Sequence, residues 1–235
     1  HKINLVSEGF KDYVSKKYPT KELSFFTNGI DDLFLPMINS IADESSGIEM
    51  NNDNIKVLYA GNIGEGQAID KIIPDLSESL GNKYEFIIIG DGSRKQNLKK
   101  VINEKNLKNI IVLDPMHRKE LMKYYIRADI LFLHLDKNIA FKKVLPSKIF
   151  EYAVTGKPIL AGVAGYPAVF IKKFVTNAQV FLPCSVNDAS ELIHTLDLSL
   201  QPRHEFARKF SRSTIMKELA KDIFVNSSVN TFTKN

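Results

Sequence analysis

Lys148 and Glu151 stand three residues apart in VLPSKIFEYAVTGKPIL, Val144–Leu160. Pro146 pre-sets φ and Ser147 is a good N-cap, so a helix is expected to open at Lys148. Residues at i and i+3 share a helical face. Free N–H groups, an ammonium and a carboxylate together can hold a phosphate on one side and hydroxyls on the other. The same residues also read as a capped surface helix with an intrahelical ion pair. Lys142 and Lys143 sit just before this helix, and charge clusters are usually solvated faces.

Three further stretches carry residues suited to a ligand. Gly61-Asn62-Ile63-Gly64-Glu65-Gly66 places three glycines in six positions. Glycine lets backbone N–H groups approach a phosphate closely, although such turns also merely close a βα unit. The stretch matches neither G-x-G-x-x-G nor the P-loop. Gly90-Asp91-Gly92-Ser93 reads as a strand-end turn or as part of a cleft. Asp114-Pro115-Met116-His117 could present backbone to the edge of a base, or be a plain turn. His117 there has the standing of a cap or surface residue, since nothing else marks it as a base. No C-x-x-C, H-E-x-x-H or calcium-loop spacing occurs, so no metal is expected.

These stretches follow apolar runs that alternate with amphipathic segments. Strands are expected at Ile55–Tyr59, Tyr84–Ile89, Ile110–Leu113, Ile130–Leu135, Pro158–Val163 and Gln179–Leu182. The runs are continuous rather than alternating, as in strands covered on both faces. Helices are expected between them, one carrying Leu121, Met122, Tyr125 and Ile126 on its buried face, and a basic one at Glu205–Phe224. The pattern predicts an α/β fold with a doubly wound, mainly parallel six-stranded sheet. In such sheets ligands bind beyond the carboxyl ends of the strands, where all four stretches fall. Upstream, Ile3–Val6 is a short apolar run, Leu23–Phe26 is strand-like, and Ser7 is expected to cap a helix at Glu8–Lys17. Four divisions result: 1–36, a residual end of a preceding domain; 37–54, a linker or mobile loop; 55–225, the main domain; and 226–235, a tail.

The 235 residues carry a net charge of +5, with 44% hydrophobic and 25% charged, which fits a globular core. Runs such as Phe86–Ile89 and Ile130–Leu133 are far too short to span a bilayer. The positive balance permits anionic ligands or an anionic membrane surface. The last basic segment, with Arg208, Lys209, Arg212, Lys217 and Lys221, reads as a solvated face or a membrane-surface element. It lacks the aromatic platforms and motifs of a nucleic-acid binder. The single cysteine, Cys184, excludes an internal disulfide, fits a reducing compartment and reads as a small core or rim residue. The sequence opens at His1 and turns apolar at once, so a piece of a longer polypeptide is expected.

In this order, NLVSEGFKDYV, FFTNGIDDLF, VLYAGNIGEGQAIDKII, FIIIGDGSRKQNLKK, IIVLDPMHRKELMKYYIRADILFL and PSKIFEYAVTGKPILA resemble the C-terminal, donor-binding half of retaining GT-B glycosyltransferases of the family 4 type. The form of the last segment is similar to that of bacterial enzymes that build surface polysaccharide, lipopolysaccharide included. The resemblance implies a Rossmann-like domain that holds a nucleotide-diphospho-sugar, most simply a UDP-sugar, without cofactor or metal. It implies that Glu151 bonds the ribose hydroxyls and that Ser147 and Lys148, after Pro146, face the diphosphate or sugar. It places Gly61, Asn62 and Gly64 under the phosphates, Gly90, Asp91 and Gly92 along the nucleoside, and Met116 and His117 at the base. Glu151 and Lys148 would be the catalytic pair.

Two departures stand out. Lys143 occupies the place of the first glutamate of the family's E-x7-E pattern. Asn62 and Glu65 occupy places where the family often has arginine and lysine, a charge Lys148 is expected to supply. The implied partner is an N-terminal acceptor domain of the same polypeptide, and the implied location is the cytoplasm or the inner face of the plasma membrane. A UDP-sugar 2-epimerase-type enzyme and a non-catalytic nucleotide-binding scaffold are the alternative readings.

Overall fold

The six apolar runs form one sheet. A computed structural model describes residues 2–39 and 54–229. After a two-residue strand β1 (Ile3–Asn4), helix α1 (Lys11–Lys17) and strand β2 (Leu23–Ser24) come the sheet strands β3 (Ile55–Ala60), β4 (Tyr84–Ile89), β5 (Ile110–Leu113), β6 (Ile130–His134), β7 (Ile159–Gly162) and β8 (Ala178–Phe181). They lie in the order β5-β4-β3-β6-β7-β8, and every ladder between them is parallel. The chain therefore leaves β5, crosses the sheet and returns beside β3. The carboxyl ends of β3 and β6 diverge at this switch point, where doubly wound sheets bind ligands.

Two apolar layers sandwich the sheet. Val57, Tyr59, Phe86, Ile88, Ile130 and Phe132 face α2 (Ile69–Leu80), α3 (Lys95–Glu104) and α7 (Val186–Ile193). Leu58, Ala60, Ile87, Ile89, Leu131 and Leu133 face α4 (Arg118–Arg127), α5 (Lys148–Val154), α6 (Tyr166–Phe174) and α8 (His204–Phe210). Successive strand residues point to opposite faces, so burial on both faces requires the continuous apolar runs seen in the sequence. Each fully buried Leu, Ile or Phe contributes about 1.5–3 kcal/mol of transfer free energy.

Three local expectations need correction. Ser7 does not cap a helix: the segment begins as a 3-10 turn at Glu8–Phe10, and the Ser7 hydroxyl donates to the Lys143 carbonyl at 2.5 Å. The basic helix expected at Glu205–Phe224 is two helices, α8 and α9 (Arg212–Val229), separated by extended Ser211. The break exists because Ile30 runs through it. Its N–H donates to the Phe210 carbonyl at 2.7 Å, and Arg212 donates back to the Ile30 carbonyl at 2.9 Å. Pro36 does not open an irregular stretch, because it lies in a 3-10 helix, Asp32–Asn39, that buries Phe34 and Met37. Most of the expected linker, 40–53, lies outside the described residues. Helix α9 continues to Val229, and the last part of the expected tail, 230–235, lies outside them.

Candidate functional site

At the carboxyl ends of β3, β4 and β5 a cleft of about 330 Å³ is bounded by Gly61, Asn62, Gly90, Asp91, Met116 and Lys148. Its floor is built from backbone packed too closely for side chains. A β-carbon on Gly90, which has φ +155°, would lie 1.8 Å from the Gly61 carbonyl oxygen. One on Gly92, with φ +151°, would lie 2.5 Å from the Ile63 carbonyl oxygen. Glycine alone allows the two strand-end loops to touch. Gly61 and Ile63 donate to the carbonyls of Ile89 and Asp91 at 2.9 and 2.7 Å, which fixes the loop. The N–H groups of Asn62, Gly64, Glu65 and Gly66 find no acceptor among the described residues. Successive unpaired N–H groups in a tight loop make an anion-binding concavity.

The wall opposite is a cluster of three side chains. Lys148 donates to Glu151 Oε2 at 2.7 Å and to the Tyr125 hydroxyl at 3.2 Å, while that hydroxyl donates to Glu151 at 3.0 Å. Lys148 and Glu151 keep 23% and 19% of their side-chain exposure, so the pair is half-sheltered and still reachable. Tyr125 is fully buried. Burial, with the Glu151 carboxylate beside it, pushes its hydroxyl far above the usual phenol range, so it stays protonated while it donates to Glu151 and accepts from Lys148. The ring stands edge-on to Tyr152 at 5.5 Å, and Ala60 N–H donates to the Tyr152 hydroxyl at 2.9 Å. The end of β3 is thereby tied to the helix that carries Glu151.

Cations elsewhere around the cleft are already paired. Buried Lys95 donates to the Gly90 carbonyl at 2.8 Å and to Asp114 at 2.6 Å, holding the Asp114 carboxyl below its ordinary range. Arg94 pairs with Glu65 over the glycine-rich loop. His134 clamps the far end of that loop. Its Nδ1 lies 2.7 Å from the Gln67 carbonyl oxygen, and its Nε2 accepts from Cys184 N–H at 2.9 Å. The two partners require the Nδ1–H tautomer, and burial lowers the imidazole to about 4.

A family model described as glycosyl transferases group 1 matches residues 41–214, well over half of the chain. The chain belongs to the group 1 glycosyl transferase family. Over 178 residues it is 27% identical to a protein provisionally named colanic acid biosynthesis glycosyl transferase WcaI, from Escherichia coli K12. The alignment covers 74% of this chain and 43% of WcaI, so the chain spans less than half of that relative. Among solved structures, Anabaena HepE in complex with UDP superposes with a TM-score of 0.77 at 14% identity, over 95% of this chain and 64% of that one. Sucrose-phosphate synthase from Thermosynechococcus elongatus does so with 0.76 at 14% identity, over 95% and 58%. The fold of this group 1 glycosyl transferase chain is the Rossmann-like half of a GT-B protein.

Within that fold, the residues singled out from the sequence divide into two groups. Gly61, Asn62, Gly90, Asp91, Met116 and Lys148 border the cleft, Glu151 is bonded to Lys148, and Gly64 and Gly92 lie in the two touching loops. His117 is exposed at the start of α4, and its side chain makes no capping bond there. Ser147 is exposed, has helical φ and ψ, and makes no capping bond. Pro146 precedes it, its carbonyl accepting from Ile149 N–H at 3.1 Å. Lys143 turns away from the cleft: its carbonyl holds Ser7 and its ammonium lies 5.5 Å over the Tyr13 ring. No local pattern marks Tyr152, Lys95 or His134 as part of a site, and helical periodicity places Tyr125 on a buried face without naming its partner. Among the described residues no group of three His, Cys, Asp or Glu side chains could hold a metal ion, and no helix is long and apolar enough to cross a membrane.

Proposed function

We propose that this chain is the donor-binding half of a retaining glycosyltransferase that moves a sugar from a nucleotide-sugar, best a UDP-sugar, to a glycan or lipid-linked acceptor in polysaccharide biosynthesis. The observation that carries the reading is the pairing, across one cleft, of a loop whose four N–H groups find no acceptor among the described residues with a Lys148–Glu151–Tyr125 cluster. Glu151 accepts the ribose hydroxyls, as a carboxylate with lone pairs to spare does. Lys148 exchanges Glu151 for the diphosphate, and the loop N–H groups take the remaining phosphate oxygens. Charge on the departing nucleoside diphosphate is thus met by donors already in place, with no metal ion assigned a role. The UDP in the HepE structure and the name of WcaI support the choice of nucleotide and pathway class. A location in the cytoplasm or at the inner face of its membrane belongs to the same proposal, as does an acceptor domain elsewhere in the polypeptide.

A scaffold reading draws on the place of Lys143, where a family glutamate is missing and the lysine faces Tyr13 instead of the cleft. One experiment separates the readings. The full-length protein is screened by thermal shift with UDP-, GDP- and dTDP-sugars, and products of the stabilising donor are then identified. A ligand at a hundred times its Kd adds about 2.7 kcal/mol of stability. Stabilisation with a new glycosidic bond is expected. Stabilisation without turnover supports the scaffold, an epimerised sugar supports an epimerase, and no stabilisation by any donor contradicts the proposal.

A further inference from the structure

A second cavity, of about 650 Å³, lies at the opposite edge of the sheet, where α6 ends at Phe174 and β8 has yet to begin at Ala178. Its wall carries Lys172, Lys173 and Lys209, all exposed, around the rings of Phe174 and Phe210. The Lys209 ammonium stands 4.5 Å over the Phe174 ring and 5.6 Å from that of Phe210, and the Lys173 ammonium stands 5.1 Å over Phe174. Two like charges therefore gather on one ring, no more than about 10 Å apart, within range of each other's field. Cations at the donor cleft are bonded to carboxylates, whereas these three lysines have no ion-pair partner among the described residues. Arg203 on the same wall is committed elsewhere. It is buried and donates to the carbonyls of Thr176, Ala153 and Lys157, each at 3.0 Å, which makes the wall rigid. Glu205 is the one carboxylate among the lining residues, so the cavity keeps a positive balance.

The surroundings favour a lipid surface over a free anion. Leu198 and Leu200, 45% and 37% exposed, precede the cavity's Pro202, and Val169, 61% exposed, lies one turn before Lys172 and Lys173. Exposed apolar side chains a few residues along the chain from cations that have no ion-pair partner among the described residues fit an interface with anionic headgroups and acyl chains. We infer that this cavity seats the phosphate headgroup of an anionic lipid, with Lys173 and Lys209 as its donors and Leu198 and Leu200 entering the acyl boundary. The assignment does not depend on the donor cleft.

The test is flotation of the intact protein with phosphatidylcholine vesicles, with and without phosphatidic acid. Capture only by the phosphatidic acid vesicles is expected. Replacing Lys173→Gln with Lys209→Gln should weaken it about tenfold, and the pair Lys172→Gln with Lys173→Gln should act in the same direction. The control pair Lys83→Gln with Lys108→Gln removes the same charge from exposed positions just before β4 and β5, toward the other edge of the sheet, and should leave capture within about twofold. Leu198→Ser with Leu200→Ser should weaken vesicle capture as well. All these positions are on the surface, so melting temperatures should match the parent protein. No capture by the parent protein overturns the inference, as does an equal loss in the control pair. Saturation of the cavity by inorganic phosphate without vesicle capture overturns the lipid assignment.

Discussion

Replacing Lys148 with alanine separates the ion pair its ammonium makes from the diphosphate contact proposed for it. Nζ lies 2.7 Å from Glu151 and 3.2 Å from the Tyr125 hydroxyl, with about a fifth of each charged side chain exposed. An exposed ion pair is worth about 0–1 kcal/mol, and breaking a fully buried one costs about 3–5 kcal/mol. This half-sheltered pair falls between, so Lys148→Ala should cost about 1–2 kcal/mol of stability. Glu151 keeps the Tyr125 hydroxyl as a donor, which limits the loss. Removing the charge left behind, by adding Glu151→Gln, should restore most of that stability. Affinity should behave differently. Lys148→Ala should weaken UDP binding at least about tenfold, or 1.4 kcal/mol, and leave uridine binding nearly unchanged, because only UDP carries the diphosphate. The double variant should regain stability without regaining UDP affinity. Denaturant melts and calorimetric titrations of UDP and uridine give both quantities. Unchanged UDP affinity in Lys148→Ala would refute the assignment. So would an equal loss for uridine, since that reports a collapsed cleft and not a lost cation.

Other positions make separate predictions. Gly90→Ala should destabilise the domain by about 3 kcal/mol or more in denaturant melts, because its β-carbon would meet the Gly61 carbonyl; a variant as stable as the parent contradicts the packing described. Burial holds His134 near 4, below its unfolded value, so the unfolded chain takes the proton first. The resulting stability, about 3 kcal/mol, is complete above pH 6.5 and is lost as pH falls toward 4. Melts across that window should show the loss, and His134→Leu should remove the slope while lowering stability at neutral pH. Arg94 and Glu65 form an exposed pair worth about 1 kcal/mol at most, so the guanidinium can leave it for a diphosphate on the loop. Arg94→Ala should lower UDP affinity several-fold in calorimetry and Glu65→Gln should raise it; a change of the opposite sign in either excludes that role.

The strands were legible because burial on both faces leaves a local mark. Tyr84–Ile89 and Ile110–Leu113 were bounded to the residue from apolar continuity alone. The glycine-rich turns were legible for a similar reason, since a loop that must touch another backbone tolerates little else. What local pattern could not carry was partnership at long range. Ser211 breaks the last basic segment because Ile30, far away in sequence, bonds into the gap. Ser7 has the local signature of a cap, but the Lys143 carbonyl, packed against Gly9, takes its hydroxyl. Periodicity placed Tyr125 on a buried face, but only the tertiary fold shows its hydroxyl reaching Glu151 across two helices. Lys95 followed a strand-end turn as one charge among several, and its burial under Gly90 and Asp114 depends on how two strand ends meet.

The central claim is that the cleft bounded by Gly61, Gly90 and Lys148 receives a nucleoside diphosphate with its ribose on Glu151. A crystal structure of the protein grown with UDP tests it most directly. Ribose hydroxyls are expected about 2.6–3.0 Å from the Glu151 carboxylate. The diphosphate is expected over the N–H groups of Asn62, Gly64, Glu65 and Gly66, with Lys148 moved from Glu151 to a phosphate oxygen. UDP bound elsewhere, or bound here with Glu151 still held by Lys148 and its ribose turned away, would contradict it.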